Sequence, residues 1–144
     1  MTETKRIDLA LEKMKEHGFK YTKRREMLLT FLAEADKYTS AKEVYEYMSQ
    51  QFSGISYDTI YRNLKDFSDM HLLEETEWDG EKKFRFHCDH HEMGHHHHFI
   101  CTNCGATREI HMCPMDYFKE QLAGCKIEGH RFEIFGKCEN CIQA

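Results

Sequence analysis

The stretch Leu73-Glu-Glu-Thr-Glu77, Trp78, Asp79-Gly80, Glu81, Lys82-Lys-Phe-Arg-Phe-His87 decides how the first half of the chain folds. Residues 73–77 and 82–87 alternate in character as half-buried strands do, and Asp-Gly between two such runs is a strong hairpin signal. Upstream the periodicity changes to that of helices. Ser56 reads as the cap of a helix over 57–70, with Ile60, Leu64 and Phe67 turned inward. Ser40-Ala-Lys-Glu43 is a capping box, opening a segment in which Val44, Tyr45 and Met48 share a face. Met27, Leu28, Phe31 and Leu32 recur at helical spacing after a cap at Thr22, as do Ile7, Leu11 and Met14. Helices followed by a hairpin describe a winged helix.

Downstream of Cys88 the composition changes to histidine, cysteine and short strand-like runs at 99–101, 107–111 and 132–135, with one helix near 115–122 after Pro114. The expected organisation is therefore α+β: a winged-helix domain over 1–88, a polar hinge at 89–94, and a metal-binding domain over 95–144.

A chain of 144 residues suits one or two small domains and not a large enzyme with a deep core. It has no apolar run long enough to span a membrane and no signal-peptide pattern at its start, so a soluble cytoplasmic protein is expected. Seven cysteines and eleven histidines in a reducing compartment point to metal and not to disulfides. The formal net charge of -5 conceals an asymmetry: residues 1–25 hold eight Lys/Arg against four acids. Phosphate contacts answer to that local field and not to the net charge.

Cys101-Thr-Asn-Cys104 and Cys138-Glu-Asn-Cys141 are two C-x-x-C knuckles. Each tight turn lets two thiolates reach one tetrahedral ion, and two turns complete a four-sulfur zinc site. A redox dithiol would need only one pair. The intervening residues 105–137 exceed the spacing of a simple zinc ribbon, so a strand-helix-strand unit is expected between the knuckles. Four sulfurs close the coordination sphere, which makes the site structural and not catalytic.

His95-His96-His97-His98 leads directly into Phe99-Ile100-Cys101. If the run begins that strand, His95 and His97 face one way and His96 and His98 the other, so one run can serve two metal sites. A solvated polyhistidine tract is the plainer reading. Cys88, alone, reads as a buried core cysteine. Beside four histidines it reads as a soft ligand.

Taken in order, Tyr21-Thr-Lys-Arg-Arg25, Ser56-Tyr-Asp-Thr-Ile-Tyr-Arg-Asn-Leu64, residues 95–104 with Gly105, His130 followed by Glu133-Ile-Phe-Gly136, and residues 138–141 resemble the ferric uptake regulator family, and within it the zinc-uptake-regulator branch. The likeness covers nearly the whole chain. It implies a homodimer with an N-terminal winged-helix DNA-binding domain and a C-terminal α/β dimerisation domain. It also implies three metal sites: the four cysteines as the structural zinc, a regulatory hinge site at Glu74, Cys88, His96 and His98, and a third site at His95, His97, Asp116 and His130. Two departures leave alternatives open. The segment 89–94 is longer than the family suggests, which brings in His90 and His91, and Glu109 matches an acidic ligand position of some members. Cys113, Cys125 and His111 have no assigned role.

A peroxide-sensing member is expected to carry His where Tyr38 stands and Asp where Arg85 stands. Placing Cys88 in the hinge site softens it toward zinc, over iron, manganese or nickel. In the recognition helix Tyr57, Thr59, Tyr61 and Arg62 stand near the end that meets base edges. The plainer reading makes Tyr61 a packed aromatic. Lys20, Lys23, Arg24 and Arg25 are expected at phosphates, although a solvated helix start is the simpler alternative. The expected function is a zinc-dependent repressor of zinc uptake and homeostasis genes. It binds an inverted-repeat double-stranded operator as a zinc-loaded homodimer, with no small organic substrate and no membrane partner. A ferrous-iron-responsive repressor of the same family and a zinc-buffering protein are the competitors. A zinc hydrolase would need an open metal position beside a general base, and no H-E-x-x-H or comparable pattern occurs.

Overall fold

The computed structural model describes residues 3–87 and 97–142. The chain divides into two compact units, residues 1–88 and 89–144.

In the first unit α1 (Glu3–Glu16), α2 (Lys23–Ala35), α3 (Ala41–Gln51) and α4 (Tyr57–Asp69) precede a hairpin of β2 (Leu73–Trp78) and β3 (Glu81–Phe86). The helix starts are chemically marked. Thr22 Oγ1 accepts from Arg25 N at 3.1 Å, and Ser56 Oγ accepts from Thr59 N at 3.1 Å. Ser40 Oγ accepts from Glu43 N at 3.1 Å and lies 3.3 Å from the Glu43 carboxylate. Such caps satisfy amide groups that the first helical turn leaves unpaired.

The hairpin turn places Asp79 at φ 56° and Gly80 at φ 73°. Two successive positive φ values match the right-handed twist of the flanking strands. A two-residue strand, β1 (Thr39–Ser40), pairs with β3 and gives the sheet order β1-β3-β2. β1 leaves no mark in the sequence, because two residues carry no periodicity. Met14, Leu28, Leu29, Leu32, Val44, Met48, Ile60, Leu64, Phe67 and Phe84 form the centre of the core, each with at most 1% of its surface exposed. Four helices and a three-stranded wing around one apolar centre make this unit a winged helix.

The second unit contains β4 (His97–Cys101), β5 (Thr107–Ile110), α5 (Met115–Gln121) and β6 (Glu133–Gly136), so a strand-helix-strand segment does separate the knuckles. The sheet order is β5-β4-β6, with β4 antiparallel to β5 and parallel to β6. Its apolar core is small: among the described residues, Ile100, Cys101 and Cys138 are its buried hydrophobic side chains. By contrast Met112, Tyr117, Phe118, Leu122, Phe132, Ile134, Phe135 and Ile142 are exposed.

Candidate metal centre and nucleic-acid interface

The parallel pairing of β4 with β6 positions the first cluster. Cys101, the last residue of β4, is in register with Gly136, the last of β6, so both strands deliver their following turns to the same end of the sheet. Each turn is a knuckle. Gly105, at φ 80°, donates its amide to Cys101 O at 2.9 Å, and Cys141 N donates to Cys138 O at 2.9 Å. Thr102 N also donates to Gly136 O at 2.8 Å, tying one turn to the other strand.

The four sulfurs lie within 4.8 Å of one another. Cys104 Sγ and Cys138 Sγ are 3.8 Å apart, and none of these cysteines is in a disulfide. A tetrahedron with metal–sulfur bonds of about 2.3 Å has edges of about 3.8 Å, whereas a disulfide would bring the sulfurs to about 2.05 Å. The spacing therefore fits one tetrahedral ion.

Ionisation of these thiols is uneven. Burial opposes the Cys101 thiolate, but backbone groups at Cys104, Cys138 and Asn103 and the Cys104 side chain outweigh it and hold the thiol down at about 6. At Cys141 the Asn103 side chain favours the thiolate, yet the Cys138 thiol, burial and the remaining thiols together push it up to about 11. Packed thiols resist becoming several anions at once, and a bound cation removes that obstacle.

The second cluster sits at the opposite end of the same sheet. It comprises His97 at the start of β4, Cys113 just beyond β5, and His130 ahead of β6, with ligand atoms within 4.8 Å of one another. Cys113 Sγ is 3.5 Å from His130 Nε2, and the His97 and His130 rings are 5.2 Å apart between centroids. Asp116, expected alongside His97 and His130, is not brought to them. Its side chain is fully exposed and its carboxylate is 3.7 Å from Lys119 Nζ. The side chain that lies beside His97 and His130 is that of Cys113, whose one mark in the sequence is that of a cysteine without an assigned role. His95 lies outside the described residues.

Of the hinge set, Cys88 and His96 also lie outside the described residues, as do His90 and His91. Glu74 stands on β2, with Arg85 Nη1 donating to its Oε2 at 3.2 Å and His87 Nδ1 3.4 Å from its Oε1. Arg85 is buried and also donates to Asp36 Oδ1 at 3.2 Å. His98 is buried on β4, in register with Glu109 on β5 and with Glu133 on β6. Directly opposed residues share a face of a sheet, so Glu109 stands on the His98 side.

On the winged helix, Arg62 is exposed and makes an i,i+4 ion pair with Asp58 at 3.1 Å. Tyr57 is exposed and stacks on Tyr61 at 6.5 Å, while Tyr61 is half-buried and meets Phe84 edge-on at 6.4 Å. Tyr61 thus packs against the core with one side. Thr59 Oγ1 is engaged with Ser56 Oγ at 2.8 Å, within the cap. Lys20, Lys23 and Arg24 are exposed. Lys23 pairs with Glu26 at 3.5 Å, and the Arg24 guanidinium lies 5.4 Å over the Phe52 ring. Arg25 is half-buried: it donates to Lys20 O at 2.6 Å and to Asn63 Oδ1 at 3.4 Å, joining the start of α2 to α4.

A winged helix followed by a unit built on two clusters of metal-ligating side chains is the build of a metal-responsive DNA-binding regulator. The model of the ferric uptake regulator family matches residues 16–135, and the chain belongs to that family. Its members are metal-responsive transcriptional regulators that bind DNA as dimers, and they are not enzymes. The ferric uptake regulation protein of Staphylococcus aureus (strain Mu50 / ATCC 700699) is 48% identical over 132 residues, spanning 92% of this chain and 95% of that one. The solved structures that share the fold include the following two. A zinc uptake regulator complexed with zinc and DNA superposes with TM-score 0.73 at 19% identity, over 99% of this chain and 97% of the other. The Helicobacter pylori ferric uptake regulator, described with three functional metal binding sites, does so with TM-score 0.70 at 20% identity, over 98% and 94%. Among the described residues no helix is long and apolar enough to cross a membrane.

Proposed function

We propose that this regulator is a zinc-dependent repressor of zinc uptake and homeostasis genes that binds an inverted-repeat operator as a zinc-loaded homodimer. The observation that carries the reading is cysteine sulfur in both clusters of metal-ligating side chains among the described residues. Thiolate and imidazole sets favour zinc, whereas ferrous iron and manganese are better served by carboxylate, imidazole and water. The four cysteines hold the structural ion, and His97 and His130 belong to the third site. The exposed apolar side chains of the second unit, Tyr117, Phe118, Ile134 and Phe135 among them, supply a surface for the homodimer. The ferrous-iron reading draws its support from the name of the Staphylococcus aureus relative.

The switch itself is assigned from the sequence resemblance to Glu74, Cys88, His96 and His98, with Glu109 competing for one of those places. Glu74 and Cys88 belong to the winged-helix part of the chain, and His96 and His98 to the dimerisation part. One ion held by all four selects the arrangements in which two wings fit an operator. Its effect is limited by its differential affinity for them: moving a population from 1:99 to 99:1 takes about 5.5 kcal/mol. Direct contacts to DNA are assigned to Tyr57, Tyr61 and Arg62, and phosphate contacts to Lys20, Lys23, Arg24 and Arg25, with Thr59 at the cap. The test is Cys88→Ser beside His96→Ala. Each is expected to stay a folded dimer that retains its four-sulfur zinc and to lose zinc-dependent operator binding. Full zinc-dependent binding by Cys88→Ser would overturn the hinge assignment.

A further inference from the structure

We propose that Cys113 is a direct metal ligand, giving the third site a sulfur–imidazole set of Cys113, His97 and His130 in which Asp116 takes no part. The inference deepens the functional reading above and rests on it only for the biological role of the ion. The ligand set stands on geometry.

The sheet topology brings the three residues together from separate stretches of chain. Because β4 and β6 are parallel, the start of β4 and the approach to β6 meet at one end of the sheet, which supplies His97 and His130. Because β5 is antiparallel to β4, its exit returns to that same end: Ile110 is in register with His97, and Cys113 follows three residues later. The Cys113 Sγ to His130 Nε2 distance is 3.5 Å. For a tetrahedral zinc with bonds of about 2.3 Å to sulfur and about 2.05 Å to nitrogen, that edge is about 3.6 Å. All three donor atoms lie within 4.8 Å of one another. Asp116 is turned to solvent and to Lys119 from the first turn of α5.

The placement also says what the ion does. Helix α5 has no buried residue, and residues 116–132 are exposed throughout. Little apolar burial therefore holds that stretch to the sheet, whereas an ion shared by Cys113, His97 and His130 clamps it at both ends. Tyr117, Phe118, Leu122 and Phe132, which the stretch carries, are then held in place. Occupancy of this site thereby firms the exposed apolar surface and tunes the dimer without forming the switch.

The experiment uses the full-length protein with zinc in its four-sulfur site, titrated with cobalt(II) alone and then challenged with a thiol-alkylating reagent. A sulfur ligand at the second ion produces a sulfur-to-cobalt charge-transfer band in the near ultraviolet. Because Cys88 of the hinge set would give the same band, it is read in a Cys88→Ser background, where it is expected to remain with Asp116→Asn and to be lost with Cys113→Ser. Alkylation of Cys113, mapped by mass spectrometry, is expected to slow at least tenfold on metal addition, while exposed Cys125 reacts unchanged. Because Cys113 is itself exposed, Cys113→Ser is expected to keep the parent fold, read by circular dichroism. His130→Ala provides a second variant and is expected to lose the protection too. An unchanged charge-transfer band when Cys113→Ser is combined with Cys88→Ser, or equal alkylation of Cys113 with and without metal, overturns the assignment. Zinc-dependent operator binding that survives alongside either result leaves the repressor reading standing, so the two failures are distinguishable.

Discussion

Replacing Cys138 with serine removes one of four sulfurs from a site on which the second unit depends. The magnitude follows from the contrast between the units. Among the described residues, the buried hydrophobics of the second unit are Ile100, Cys101 and Cys138, whereas the first has a continuous core from Ile7 to Phe86. Burying a large aliphatic side chain such as Ile100 contributes about 1.5–3 kcal/mol. A structural zinc contributes on the order of 10–16 kcal/mol in small metal-folded domains, because its binding is folding free energy. Loss of the ion thus exceeds what the apolar centre of the second unit supplies, and that unit is expected to unfold. Dimerisation is expected to fail with it. The winged helix, with its own core, is expected to survive. Thermal melting followed by circular dichroism, zinc content by mass spectrometry and sedimentation velocity together read the outcome. The expected result is a zinc-free monomer with a single unfolding transition belonging to the first unit. A Cys138→Ser protein that stays dimeric, with an intact second unit and without that zinc, refutes the four-cysteine assignment.

Arg62→Ala is expected to abolish specific operator binding with little change in stability, since its ion pair with Asp58 is exposed on both sides; parent-like operator affinity would remove Arg62 from the interface. Lys23→Ala is expected to weaken binding to all sequences alike and to reduce the salt slope by about one unit, read from affinities across a salt series. Phe67→Ala is expected to destabilise the winged helix by about 3–5 kcal/mol in denaturant titration, because the ring is fully buried; a loss below about 1 kcal/mol would contradict its place in the core.

The winged helix was legible because its local signals agree with one another. The serine and threonine caps, the helical periodicity of Ile60, Leu64 and Phe67, and the Asp-Gly turn each belong to one short stretch of chain. The pairing of the knuckles was legible for a similar reason, since two C-x-x-C turns announce one four-sulfur site. What could not be read was whatever depends on strand register. That Cys113 and not Asp116 reaches His97 and His130 follows from the antiparallel return of β5 and the short helix that points Asp116 outward. Neither leaves a trace in residue spacing. The half-burial of Tyr61 against Phe84 depends on how α4 packs on the wing, which periodicity alone left open between a base contact and a core aromatic. The proposed hinge set rests on sequence resemblance, as does the competing place of Glu109, which the strand register sets opposite His98.

In the proposed function zinc, and not another divalent ion, turns on DNA binding. The most direct test is operator affinity of the full-length protein stripped of its exchangeable metal but retaining the four-sulfur zinc. It is titrated separately with zinc, ferrous iron and manganese at one fixed salt concentration, because phosphate contacts make affinities at different salt incomparable. Zinc at low free concentration is expected to raise operator affinity at least a hundredfold, while ferrous iron and manganese leave it near the metal-depleted value. Activation by ferrous iron at lower free concentration than zinc, or tight operator binding by the metal-depleted protein, would contradict the proposed function.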